Sequence, residues 1–190
     1  MPLRTTDPAA THSPLADWHA ATQTQRELAR DVARLIADTL SAMFPGAAYL
    51  TMMIDEDADR DWELGLDTVR DGSGAPLLVF DDDSDLPELG PEHEELGRRW
   101  GSLNHRSPLD LLGVLRDLYN AGAVFDRLPL DLDLDDYFGD DDEVVCMLLS
   151  PEGRPYEWEL PDPDNWNVGS RRLRPYRAAL QSSGRPAEED

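Results

Sequence analysis

Lysine is absent from this chain: all 17 basic residues among its 190 are arginine. Chemistry that needs a lysine amine goes with it, namely Schiff-base catalysis, Ser-Lys nucleophile pairs and the phosphate grip of a P-loop. Cysteine is almost absent as well. The single Cys146 excludes an internal disulfide and any cysteine-built zinc cluster. It stands between Val145 and Met147 with no cation near it in sequence to stabilise a thiolate, so it reads as a small core residue. No stretch approaches the roughly 18 consecutive apolar residues of a membrane span. The opening MPLRTTDPAATHSP contains no apolar signal core, so the expectation is a cytoplasmic protein. An H-E-x-x-H metal motif is also missing. Of the histidines, His12 and His19 fall in or beside the N-terminal stretch, and His93 and His105 fall near helix ends. Ser73 belongs to a D-G-S-G turn and not to a G-x-S-x-G nucleophile elbow. No cofactor, metal site or catalytic residue is read from the sequence.

What the chain has in excess is carboxylate. Forty acidic residues against 17 arginines give a net charge of -23. A nucleic-acid binder needs cations to displace counterions from phosphate, and adhesion to anionic lipid needs the same. Direct nucleic-acid and membrane binding are therefore disfavoured, and the partners expected are basic proteins or peptides. A GC-rich genome or a halophilic source would produce the same arginine-for-lysine bias and part of the acidity.

Hydrophobic periodicity gives an element order. Residues 1–13 are polar and aperiodic and read as disordered. Ser13-Pro14 is a helix start, with serine as cap and proline in the first turn, and Thr24 to Glu27 supplies a second start of capping-box type. Leu28, Val32, Leu35, Ile36, Leu40, Met43 and Phe44 then recur at helical spacing until Pro45-Gly46. A three-strand meander is predicted over 48–54, 62–69 and 77–80, with a glycine-rich turn at 70–76. A helical segment at 91–103 and a helix begun by Ser107-Pro108 follow, the latter with Leu111, Leu112, Leu115, Leu118 and Tyr119 on one face. Tyr156, Trp158 and Leu160 alternate with glutamates as a short strand. Residues 181–190 read as a flexible tail. The expected fold is one α+β domain over residues 14–180. It is an antiparallel sheet of five or six strands, meander plus hairpin, with a long N-terminal helix and two further helices packed on it.

The hairpin, DRLPLDLDLDDYFGDDDEVVCMLLS from Asp126 to Ser150, is the most unusual stretch. Leucines at 128, 130, 132 and 134 alternate with Pro129, Asp131, Asp133 and Asp135, the period of a half-buried strand with a carboxylate face. Aspartate is a poor strand former, so such a face belongs against water, a cation or a basic partner. In an up-down-up meander the first connection (Asp55, Asp57, Asp59, Asp61) and the exit of the third strand (Asp81, Asp82, Asp83) lie at one end of the sheet. Together with Asp131, Asp133, Asp135, Asp140, Asp141 and Asp142 they are the candidate partner-binding residues. The three segments 55–61, 81–85 and 126–143 hold 16 of the 23 net negative charges. The aspartates at 131, 133 and 135 also match the first positions of a twelve-residue calcium loop. Asp136 stands where that loop needs glycine, Asp142 replaces its bidentate glutamate, and no helix pair flanks it. Arg171, Arg172, Arg174 and Arg177 form a basic cluster that fits an internal clamp, a solvated face or a partner contact. Of the five tryptophans, Trp18 and Trp166 are the ones expected at the surface.

Over residues 15–180 this predicted order (helix, three-strand meander, helical segment, further strands, closing helical stretch) resembles that of type III secretion chaperones and YbjN-type peptide-binding proteins. The resemblance implies a small, acidic, catalytically inert binding protein. The function expected is a non-catalytic acidic protein engaging a basic partner: an immunity or inhibitor protein, a DNA mimic or a chaperone-like protein. The rival classes are a carboxylate- or metal-dependent enzyme and a generic soluble domain whose acidity is proteome-wide. A homodimer through the uncharged face of the sheet or through a helix is compatible with the pattern.

Overall fold

Ser13 begins the first helix in the expected way: its backbone is extended and its hydroxyl accepts the Ala16 amide at 3.4 Å, with proline in the first turn. The computed structural model describes residues 13–55, 63–81, 85–129, 132, 142–151, 153 and 173–175. The second start signal is overridden. Pro14–Met43 is one uninterrupted helix of 30 residues (α1), and the Thr24 hydroxyl turns back onto the Ala20 carbonyl at 3.0 Å instead of capping a new helix. The helix ends as the sequence demands. Pro45 cannot continue it, and Gly46 supplies φ +89° in the turn that returns Ala47 N–H to the Phe44 carbonyl.

The chain then forms β1 (Ala47–Asp55), β2 (Glu63–Asp71) and β3 (Pro76–Val79), the expected meander. A single 3-10 turn at Pro91–His93 leads into α2 (Glu94–Arg99), and α3 (Pro108–Asn120) is capped by Ser107, whose hydroxyl accepts the Asp110 amide. The last strands are β4 (Asp126–Arg127) and β5 (Asp142–Leu148). All neighbouring strands run antiparallel, in the order β3-β2-β1-β5-β4. The fold is α+β, with a long N-terminal helix, a five-strand sheet and two shorter helices.

One face of the sheet carries the main core. Leu50, Met52, Ile54, Leu64, Val69, Val145 and Met147 meet Ala33, Ile36, Ala37 and Leu40 of α1, Leu111 and Leu115 of α3, and Trp100 after α2. The Trp100 indole donates to Thr39 Oγ1 at 3.0 Å, so its polar edge is satisfied inside the core. The other face carries a smaller cluster of Ala48, Tyr49, Leu128, Leu132, Cys146 and Leu148. Cys146 is fully buried there, as the sequence implied.

The acidic hairpin needs correction. The long edge strand expected from Asp126 onward is only two residues, because its ladder with β5 stops at Arg127. Pro129 has no amide to donate to a ladder. Its carbonyl instead accepts the Leu132 amide at 2.8 Å, so Leu128 and Leu132 are buried at a turn-like spacing of four rather than on a strand. The strand at 156–160 and the closing helical stretch lie outside the described residues.

Candidate functional site

The topology brings part of the acidic set together at one end of the sheet. Asp55, the last residue of β1, is paired with Glu63 of β2 on one side and with Asp142 of β5 on the other. Directly opposed residues in an antiparallel pair have Cα atoms about 5 Å apart. Three acidic residues therefore occupy register positions abreast across three adjacent strands. The connections 56–62 and 128–141 both rejoin the sheet at this row.

The remaining candidates do not all reach the row. β3 is short, and Phe80 N–H bonds the Asp67 carbonyl, so the chain leaves the sheet four positions along β2 from Glu63, roughly 13 Å away at strand rise. Asp81 follows there and is exposed. Leu132 lies toward the opposite end. A Cβ on Gly74, in the β2–β3 turn, would stand 2.9 Å from Leu132 Cδ2, so Leu132 packs at the end of the sheet away from Asp55. Asp57, Asp59, Asp61, Asp82, Asp83, Asp131, Asp133, Asp135, Asp140 and Asp141 lie outside the described residues.

Sequence reasoning missed a polar cluster in the middle of the second face. The β1–β2 register shifts between Leu50 and Met52, so Asp67 and Thr68 together oppose Thr51, a β-bulge. Thr51 Oγ1 accepts the Thr68 amide at 3.0 Å and donates to Asp67 Oδ2 at 2.7 Å. Thr68 Oγ1 accepts from Arg70 Nε at 2.7 Å, and Arg70 Nη1 donates to the Gly74 carbonyl at 3.0 Å. Thr51, Thr68 and Arg70 are buried, and their hydrogen bonds satisfy one another across the bulge. Among the described residues, the partners of the two hydroxyls are each other, Asp67, Arg70 and the strand backbone. The sequence did carry a trace of this cluster: Thr68 and Arg70 flank Val69 on the opposite parity.

The basic cluster also resolves in part. Arg174 forms a bidentate pair with Asp126, from Nε at 3.2 and 2.9 Å and from Nη2 at 2.6 Å. The Asp126 side chain is 1% exposed and that of Arg174 13%. Leu173 N–H bonds the Val124 carbonyl at 2.7 Å, and Arg34 donates twice to the Pro175 carbonyl. Residues 173–175 therefore clasp α1 and the start of β4, and Arg174 acts as an internal clamp. Its partner is not one of the candidate aspartates. Nor are Asp67, Glu88, Glu94 and Glu95, the acids paired with Arg70, Arg106 and Arg98.

Beside this clasp lies a groove of about 340 Å³. One wall is the outer half of α1, with Thr22, Gln25 and Ala29, and the other is Leu118, Val124 and Leu173. Arg26 and Arg30 stand on its lip.

Among the described residues no three histidine, cysteine or acidic side chains are grouped to hold a metal ion. Ser73 Oγ donates to Asp71 Oδ1 at 2.7 Å within its turn. That bond, with the amides of Ser73, Ala75 and Gly74, holds the Asp71 carboxyl below its ordinary 3.8. Among the described residues no helix is long and apolar enough to cross a membrane. No family model, no curated protein and no solved structure matches this chain.

Proposed function

We propose that this protein is a non-catalytic binding protein that engages a basic protein or peptide through its acidic surface. The observation that carries the reading is the row Glu63–Asp55–Asp142, where the register of three strands sets three acidic residues abreast at the strand ends that lead into 56–62 and follow 128–141. Such a row costs stability through self-repulsion, and a cationic partner relieves that cost. With a net charge of -23 behind it, the field accelerates encounter with basic partners by roughly 10- to 1,000-fold at low ionic strength. The partner is then a toxin to be neutralised, a DNA-binding protein met by phosphate-like charge, or an unfolded client. The last is what the resemblance of the predicted element order to that of type III secretion chaperones implies.

The test is capture from a native lysate on immobilised protein, with an Asp55→Asn/Asp142→Asn variant in parallel. Basic proteins should be retained at low salt and released as salt rises, and the variant should associate more slowly with an unchanged circular dichroism spectrum. Retention of acidic proteins only, or of nothing at low salt, refutes the proposal.

A further inference from the structure

The outer half of α1 has little to do for the fold. Residues buried in the core begin at Ala33, so the preceding 19 residues, about 28 Å of helix, stand mostly in solvent. They are not polar throughout. Leu15 and Trp18 are 63% and 62% exposed. With Thr22, Gln25, Ala29 and Val32 they continue, at alternating spacings of three and four, the same stripe that enters the core at Ile36, Thr39 and Met43. Leu28, at 60% exposure, flanks it. The stripe therefore starts beyond the edge of the body, passes along the groove at Thr22 to Ala29 and runs inward.

We propose that this half-helix is the site of self-association, by antiparallel pairing with the same segment of a second copy. The pattern is self-complementary. About a two-fold axis between positions 23 and 24, Leu15 of one copy faces Val32 of the other, Trp18 faces Ala29, and Thr22 faces Gln25. The overhanging Trp18 then enters the groove of the other copy beside Ala29, and its own groove receives the same residue in return, as an isologous contact requires. Aromatic anchors in preformed pockets are what dominate such interfaces.

Charge selects this face for a second copy. Residues 14–34 carry three arginines, at 26, 30 and 34, against Asp17, Glu27 and Asp31, so the segment is neutral in a chain of net charge -23. Two copies repel each other over most of their surface, and the outer half of α1 is where they approach without that penalty. Salt then has the opposite effect from the one expected for a basic partner. Screening the remaining repulsion strengthens self-association, whereas it weakens capture of a cation.

Sedimentation equilibrium of the full chain, between about 0.05 and 0.5 M NaCl, reads both directions. The expected result is a reversible monomer–dimer equilibrium that tightens as salt rises. Trp18→Glu should weaken it roughly a hundredfold by carrying a carboxylate into an apolar contact, with no change in the melting temperature of the monomer. Mixed Thr22→Cys and Gln25→Cys chains should cross-link faster than either does alone. A monomer throughout at high salt overturns the inference, as does a dimer indifferent to Trp18→Glu. A Trp18→Glu monomer that melts earlier also overturns it, because the face is then covered by the chain itself.

Discussion

Replacing Arg174 by methionine tests whether the basic cluster serves the interior. The side chain keeps its length and loses its charge, leaving Asp126, at 1% exposure, without the guanidinium that meets both of its oxygens at 2.6 to 3.2 Å. At an effective dielectric near 20 the attraction of two unit charges about 4 Å apart is about 4 kcal/mol. Desolvation of both ions offsets most of it, so the intact pair adds little net stability. Removal of one member is different: it strips a buried charge of its bidentate partner, a change that costs roughly 3–5 kcal/mol in buried pairs. Because Arg174 retains 13% exposure, the lower end applies, about 3 kcal/mol. With a urea slope of about 2 kcal/mol/M, the unfolding midpoint should fall by about 1.5 M. Asp126→Leu combined with Arg174→Met should recover most of that loss, since neither charge is then stranded. An Arg174→Met midpoint within about 0.5 M of the parent, or a double variant no better than the single, refutes the reasoning.

Thr39→Val keeps the shape of the side chain but strips the oxygen that accepts the Trp100 indole N–H. Urea unfolding should register a loss of about 1–3 kcal/mol, and the tryptophan emission should shift. Asp71 should titrate below 3.8 in carbon-detected NMR, and Ser73→Ala should move it back up. The sign follows from the depressed folded value: the stability it contributes is present above 3.8 and is lost as pH falls through the folded value. Gly74→Ala meets φ +87° and a contact of 2.9 Å with Leu132 Cδ2, so it should destabilise by about 2 kcal/mol by the same unfolding assay.

Signals confined to a few neighbouring residues were legible. Ser13-Pro14, Ser107-Pro108 and Pro45-Gly46 mark helix ends in the sequence, and the structure keeps each of them. The meander was read from alternation to within a residue or two at each end. What failed depended on partners far along the chain. The alternating leucines after Asp126 are satisfied equally by a strand and by a turn that buries Leu128 and Leu132, and only the second-face cluster chooses between them. The Thr24 capping box is valid locally, yet the helix was already propagating from Ser13 and had no reason to restart. For the site, strand direction alone puts the first connection and the exit of the third strand at the same end of a meander, whereas the pairing of β5 with β1, which brings Asp142 beside Asp55, has no signature in the sequence. The bulge at Asp67-Thr68 and the partnership of Asp126 with Arg174, 48 positions away, leave no mark on spacing.

The burial of Cys146 turns the chain's one sulfhydryl into a timer. Its Sγ–H points to the Arg127 carbonyl at 3.5 Å, beneath the leucines at 128 and 132. A thiol reagent can reach it only when that cover lifts, so the labelling rate measures how often the edge of the sheet peels. A basic molecule that grips the adjoining acidic stretch from outside would slow the clock without ever touching the sulfur.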